Sequence, residues 1–325
     1  MGIHVINAGP RTTIQDKGRM GYQNSGFAPS GFMDRFACRR ANVLVNNEDT
    51  EAVIEFCIQG PMLKFDEAAN IAVSGGNFKI SVDGAIHDAD TAIHVKAGQT
   101  VMIITGTIGT FGSIAVGGGL AIPEIMGSRS TNIRCEIGGF NGRALKNGDV
   151  LEMRNPGYAA QNLSYRRLPA RKLAAPGEVL EVRVIPGPQD DAFTEKGIET
   201  FYSSEYTVTT HSDRMGYRLS GGKVETKNGS DIISDGIVLG SIQISGSGDP
   251  IVMMADRQTT GGYVKIATVI HVDLPQFVQL RPGQKVRFVP VTVQEAQQLY
   301  FECYERWDSW KKSIIGPLFN PRNEI

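Results

Sequence analysis

The sequence lacks any apolar run near the ~20 residues needed to cross a bilayer, so a membrane-spanning helix is not expected. It also lacks long stretches of one charge sign: 33 basic and 34 acidic residues leave a formal net charge of −1. That balance argues against the basic footprint of a nucleic-acid binder and against a polybasic membrane patch. Cysteine is scarce. Cys38, Cys57, Cys135 and Cys303 lie far apart, with no C-x-x-C pair and no zinc-like spacing to a histidine. Neither a disulfide framework nor a metal centre is expected, and the thiols read as small buried hydrophobes of a reduced, cytoplasmic protein. The first residues lack the basic region and apolar stretch of a secretory signal.

Several catalytic motifs are missing as well. There is no G-x-x-x-x-G-K-[ST] phosphate loop, and Gly106 to Gly112 does not have dinucleotide-binding spacing. No G-x-S-x-G elbow occurs, and the five histidines are scattered. Nucleophile-triad hydrolysis is therefore not supported. Glycine, by contrast, is in excess: 38 of 325 residues, about 12 per cent against a usual ~7 per cent. At that density, without low-complexity repeats, glycine marks the tight turns and close backbone approaches of antiparallel β folds.

Short β-like segments dominate, among them Ile71-Ala72-Val73, Ile80-Ser81-Val82, Thr100 to Ile104, Ser113 to Val116 and Val179 to Val184. Helical signals are few. Met33, Phe36, Ala37, Ala41 and Leu44 recur at helical spacing, and Thr292-Val293-Gln294-Glu295 reads as a capping box opening a C-terminal helix. Ala296, Leu299, Tyr300, Cys303 and Trp307 fall on one side of that helix. The expected class is mainly β, as barrels or curled sheets with little helix.

The chain also echoes itself. Ile6-Asn7-Ala8-Gly9-Pro10 returns as Val184-Ile185-Pro186-Gly187-Pro188, and Asp34-Arg35 as Asp213-Arg214. Ile58-Gln59 returns as Ile242-Gln243, Gly75-Gly76-Asn77-Phe78-Lys79-Ile80 as Gly261-Gly262-Tyr263-Val264-Lys265-Ile266, and Gly98-Gln99 as Gly283-Gln284. Five matches in one order, at slowly drifting spacing, predict a degenerate tandem duplication whose copies are whole domains. The expected division is an N-terminal domain over 1–155, a proline- and glycine-bearing linker over 156–177, and a C-terminal domain over 178–325.

Comparing the copies singles out one loop. From Ile251 to Gly261 the second copy has six more residues than the first has from Ile71 to Gly75, and the excess takes in Asp256 to Thr260. A polar, glycine-rich loop elaborated in only one copy is a common place for function. Asp256 suits proton relay; Arg257 and Lys265 suit an anion; Gln258, Thr259 and Tyr263 suit an amide, with Thr260, Gly261 and Gly262 counted beside them as substrate-binding. Arg214 and Gln243 are further candidates, as is Arg129 in Gly127-Ser128-Arg129-Ser130-Thr131. The Asp-Arg segments occur in both copies, and a shared structural ion pair explains them equally well.

Gly9-Pro10-Arg11-Thr12-Thr13-Ile14-Gln15-Asp16-Lys17-Gly18-Arg19 and Ser30-Gly31-Phe32-Met33-Asp34 resemble the opening of the KipA family. Gly127 to Thr131, Asp213 to Gly216 and Asp256 to Tyr263 extend the resemblance, which reaches about Pro290. It implies two tandem cyclophilin-like β-barrel domains. It also implies one component of an ATP-dependent 5-oxoprolinase, which opens 5-oxoproline to glutamate by phosphorylating the amide oxygen. The implied partners are two further components, one KipI-like and one LamB/YcsF-like, with ATP handled in the complex. Two alternatives come with the family: a carboxyltransferase of the urea carboxylase type, and a regulatory partner of a kinase inhibitor. The chain has no Ala-Met-Lys-Met biotin-carrier sequence, so under the first alternative biotin would come from a partner. On the main reading, Asp256, Arg257, Lys265 and Tyr263 are the expected catalytic residues. The remaining candidates would bind substrate.

Overall fold

The structure, a computed structural model, describes residues 2–315. It is mainly β, as expected, and divides into two compact units. The first gathers residues 2–17, 35–172 and 301–315; the second gathers 18–34 and 173–300.

The first unit contains β1 (Ile3–Asn7), β2 (Thr12–Gln15), α1 (Arg35–Leu44), β3 (Val53–Cys57), β4 (Met62–Phe65) and β5 (Ala69–Gly75). β6 (Lys79–Val82), β7 (Ala85–Asp88), β8 (Ala92–Val95), β9 (Thr100–Ile104), β10 (Phe111–Val116) and β11 (Val150–Leu151) complete it. They form two antiparallel sheets, in the orders β11-β1-β4-β9-β6-β7 and β2-β3-β10-β5-β8. Alternation directs Ile3, Phe65 and Ile80 from one sheet, and Ile14, Phe56 and Val73 from the other, into a single buried core. The expected helix is α1, which buries Ala37, Ala41 and Leu44. Residues 156–172, expected within the linker, belong to this unit. Asn70 donates its side-chain amide to the Gln161 carbonyl at 2.7 Å, and Leu163 and Leu168 are buried.

The second unit contains β12 (Val179–Pro186), α2 (Glu195–Ser203), β13 (Tyr206–Val208), β14 (Gly216–Ser220), β15 (Asp231–Gly236) and β16 (Ser241–Ile244). β17 (Pro250–Met253), β18 (Thr260–Tyr263), β19 (Lys265–Val269), α3 (Leu274–Phe277) and β20 (Lys285–Pro290) follow. Seven strands close a barrel in the order β12-β19-β16-β17-β14-β13-β20. Closure pairs β12 with β20 in parallel; the barrel's remaining pairs are antiparallel. β15 and β18 stay outside the barrel and pair only with each other, as a flap. Nearly every residue of β15 is exposed, and Ile233 is 95 % exposed. The first copy turns straight from β5 to β6, whereas the second places β18 between β17 and β19. The six-residue excess thus leads into the flap strand β18 and supplies its first residue, Thr260.

The last helix is α4 (Val293–Ile315), opened by the expected capping box: the Glu295 amide donates to Thr292 Oγ1, and the Thr292 amide to Glu295 Oε2. Its later turns lie in the first unit. There Trp307, 2 % exposed, meets the Phe36 ring edge-on at 5.7 Å, and its indole N–H donates to Asp49 at 2.8 Å. Among the described residues no helix is long and apolar enough to cross a membrane.

Trp307→Ala removes both the ring contact and the indole donor. It is expected to destabilise the first unit by about 3–5 kcal/mol, read as a lowered urea midpoint.

Candidate functional site

Of the residues expected from the sequence to form a site, all but Arg129 fall in the second unit. Lys265 opens β19 and is register partner to Gln243 on β16, next to a bulge in that pairing. Both side chains are buried. Only 3 % of the Lys265 side chain is exposed, too little for water to solvate an ammonium. A carboxylate meets it instead: Nζ donates to Asp235 Oδ2 at 2.9 Å. Asp235 comes from the flap strand β15, and its own side chain is 54 % exposed. Gln189, in the turn after β12, joins the two. Its Nε2 donates to Asp235 Oδ2 at 3.2 Å, and its Oε1 accepts the Lys265 amide at 3.2 Å. The Lys265 ammonium, then the Gly236 amide and Gln189, hold the Asp235 carboxyl below the ordinary carboxylate range.

Two glycines set how closely these parts approach. A Cβ at Gly187 would stand 2.2 Å from the Lys265 carbonyl oxygen, so only glycine lets the β12 turn lie against β19. At Gly261 on the flap a Cβ would stand 2.5 Å from Ile237 Cδ1 and 2.7 Å from Gln243 Nε2. The flap therefore rests directly on the Gln243 amide, whose Nε2 donates weakly to the Tyr263 carbonyl at 3.4 Å. Tyr263, 36 % exposed, ends β18 opposite Asp231. Gly262 is half-buried beside it, while Gln258 and Thr259 form the approach to β18 and Thr260 opens it. The Thr259 carbonyl accepts the Ile237 amide at 3.0 Å, which closes the root of the flap.

Arg257 is buried and turned toward main chain, donating to the carbonyls of Ile237 and Met254 at 3.2 Å each. It is a strut between the end of β15 and the loop after β17. Asp256 is engaged by Arg214 in a two-pronged pair, Nε to Oδ2 at 2.7 Å and Nη2 to Oδ1 at 3.0 Å. Arg214 also donates to the Gly31 carbonyl at 2.7 Å, while Asp213 caps the Met215 and Gly216 amides. Arg214 thus takes its carboxylate from Asp256, 42 residues on, and not from its neighbour. Asp34, the counterpart in the first copy, accepts from Gln279.

Arg129 is in the first unit, where it pairs with Glu124 at 2.9 Å and donates to the Ile122 carbonyl. Its flanking hydroxyls, Ser128 and Ser130, each donate to Asp16 at 2.6 Å, so that loop is pinned by a carboxylate of its own unit. Among the described residues no group of three or more His, Cys, Asp or Glu is placed to hold a metal ion.

What gathers in the second unit is thus one buried ammonium, the carboxamides of Gln189 and Gln243, and a tyrosine beneath and along a flap. The set can hold a carboxylate and match both the C=O and N–H of an amide. Sequence reasoning missed Asp235 and Gln189. Gln189 directly follows the repeated Gly-Pro element, which was the available signal; Asp235 sits in a short polar strand without periodicity.

A family model described as carboxyltransferase domain, subdomain A and B, matches residues 25–290. A Haemophilus influenzae protein named as the C subunit of 5-oxoprolinase is 36% identical over 297 residues, 91% of this chain and 94% of that one. The Escherichia coli protein of the same name is 33% identical over 309 residues, 92% of this chain and 96% of that one. The crystal structure of the K. lactis urea amidolyase superposes with a TM-score of 0.86 at 32% identity, covering 96% of this chain. This chain spans 20% of that protein and 55% of another solved relative.

Gly187→Ala and Gly261→Ala are expected to differ in kind. The first forces backbone apart and should cost roughly 3 kcal/mol or more in urea unfolding; the second meets only side-chain ends and should cost about 1 kcal/mol. Gly261→Ala should instead speed protease cleavage within 231–263, because the flap must lift.

Proposed function

We propose a function from one premise: the chain belongs to the family described as carboxyltransferase domain, subdomain A and B. Within it, this chain acts as the C subunit of a cytoplasmic, hetero-oligomeric 5-oxoprolinase that opens 5-oxoproline to glutamate. The observation that carries this reading is one of likeness: two proteins named as that C subunit are 36% and 33% identical over 91% and 92% of this chain.

The chemistry of the second unit agrees with a small acid that carries a lactam. Lys265 offers a positive charge to the carboxylate. Gln243 offers one carboxamide, which can donate to the lactam C=O and accept from its N–H. Gln189 fixes the lysine from behind, and Tyr263 lies at the open end of the flap, where it orients the amide. Arg257, Asp256 and Arg214 brace the loop that delivers these groups, so they act by positioning. One ammonium and two carboxamides suit a single carboxylate and not the several charges of a triphosphate. Nucleotide binding is therefore assigned to the assembled complex, with partners related to KipI and to LamB/YcsF.

The family description and the urea amidolyase superposition favour a second reading, carboxyl transfer from biotin carried by a partner. The two readings separate in one assay of the reconstituted complex. ATP-coupled release of glutamate from 5-oxoproline, insensitive to avidin, is expected; turnover that requires bicarbonate and a biotinylated partner favours carboxyl transfer. Within that assay Lys265→Met is expected to lower kcat/KM by about 10²-fold and Tyr263→Phe by less. Full activity in Lys265→Met would remove this unit from the chemistry.

A further inference from the structure

The flap brings a carboxylate of its own to the place where a substrate carboxylate would bind. Two donors fixed on the barrel side, Lys265 Nζ on β19 and Gln189 Nε2 after β12, converge on Asp235 Oδ2 at 2.9 and 3.2 Å. They come from different elements and are held from behind, since Gln189 Oε1 accepts the Lys265 amide. The acceptor is not held in this way. Asp235 stands on a strand exposed nearly throughout, and its other oxygen, Oδ1, takes the amide of the next residue, Gly236, at 2.7 Å.

Burial is equally one-sided, at 3 % of the side chain for Lys265 against 54 % for Asp235. A buried ammonium cannot be left without an anion, whereas a half-exposed carboxylate that leaves it is met by water. Exchange of Asp235 for another carboxylate preserves every charge-assisted bond at the buried end. Exchange for a neutral group does not.

We propose that Asp235 is an internal stand-in for the substrate's carboxylate: a small carboxylic acid binds Lys265 and Gln189 by displacing Asp235, which turns out into water with β15. The inference rests on the reading of this unit as the site for a small acid bearing an amide. It goes further in giving the flap a role. The closed flap is the self-occupied state, and the displaced Asp235 confines the site to anions, since a neutral amide supplies nothing to Lys265 in exchange. A plain latch has the same bonds but the opposite consequence. If Asp235 only fastens the flap, removing its charge loosens the site and weakens binding. If it competes with substrate, removing its charge strengthens binding.

Calorimetric titration of the full chain distinguishes the two. The probes are L-5-oxoproline, its neutral carboxamide, and glutarate, applied to the unaltered protein, Asp235→Asn, Asp235→Ala and Lys265→Met. Asp235→Asn and Asp235→Ala are expected to bind L-5-oxoproline about tenfold more tightly than the unaltered chain, with no such gain for the carboxamide. Lys265→Met should abolish binding of both acids. Equal or weaker binding of both acids by the two Asp235 variants overturns the proposal, even if the complex turns over 5-oxoproline. Absence of acid binding in every protein overturns it too. Tighter binding of glutarate alone, with no 5-oxoproline bound by any variant, upholds the stand-in and counts against 5-oxoproline as substrate. The near-isosteric Asn variant, with unfolding midpoints measured alongside, excludes misfolding as the source of a loss.

Discussion

A lysine ammonium taken out of water must either lose its proton or find a carboxylate, and Lys265 has found one on the flap. Much of the second unit's local architecture is arranged around that pairing. Gly187 lets the β12 turn press against β19, which brings Gln189 to both the lysine and its partner. Gly261 lets the flap settle onto Gln243, and Arg257 ties the flap's end to the loop after β17. Arg214 and Asp256, paired out of water, stiffen that loop in turn. Removing one member of such a buried pair leaves an uncompensated charge, so the pair opposes opening of the loop.

The secondary structure was legible because it obeys local rules. Alternation marked Val179 to Val184, and β12 runs Val179–Pro186; the capping box at Thr292 and Glu295 marked the start of α4 at Val293. Pairing across long sequence distance has no such signature. Arg214 reaches Asp256 and Lys265 reaches Asp235, yet nothing near any of these residues says which partner it takes. The neighbours Asp213 and Arg214 suggest a pair by adjacency, but the aspartate instead caps amides two and three residues on. The same holds for the unit boundaries. Residues 18–34 join the second unit and 301–315 the first, a crossing set by tertiary packing that composition does not record.

The candidate site was half legible. Comparison of the copies pointed to the excess before Gly261, and that excess leads into β18, a strand the first copy lacks between β5 and β6. Its partner β15 was invisible, since Asp-Ile-Ile-Ser-Asp-Gly has neither the alternation of a half-buried strand nor the apolar run of a buried one. A strand exposed on both sides needs no pattern, because it is held by β18 and by one charged contact at its end. The Gly127–Thr131 loop illustrates the converse. Its arginine and hydroxyls have the inventory of an oxyanion site, but Asp16 already takes both serines, so inventory without geometry misleads.

The duplication that the repeated motifs predict gives an asymmetric device of this kind a route to arise. Two copies of one β scaffold give two equivalent turns between neighbouring strands, and only one need remain tight for the fold to hold. In the first unit the turn after β5 stays short, and Gly75 lies so close to Phe111 that a Cβ would meet its carbonyl oxygen at 2.2 Å. In the second the corresponding turn is extended by β18, which lies beside the buried polar pair Gln243 and Lys265. Buried polar groups of that kind require partners: the Tyr263 carbonyl on β18 takes the Gln243 amide, and Asp235 on β15, the strand paired with β18, takes Lys265. Cover made of an exposed two-stranded flap is easier to lift than cover made of core, because few apolar contacts are lost when it moves. On the proposed function, the flap does two things at once: β15 satisfies the buried lysine when the site is closed, and β18, its only strand partner, can lift away with it.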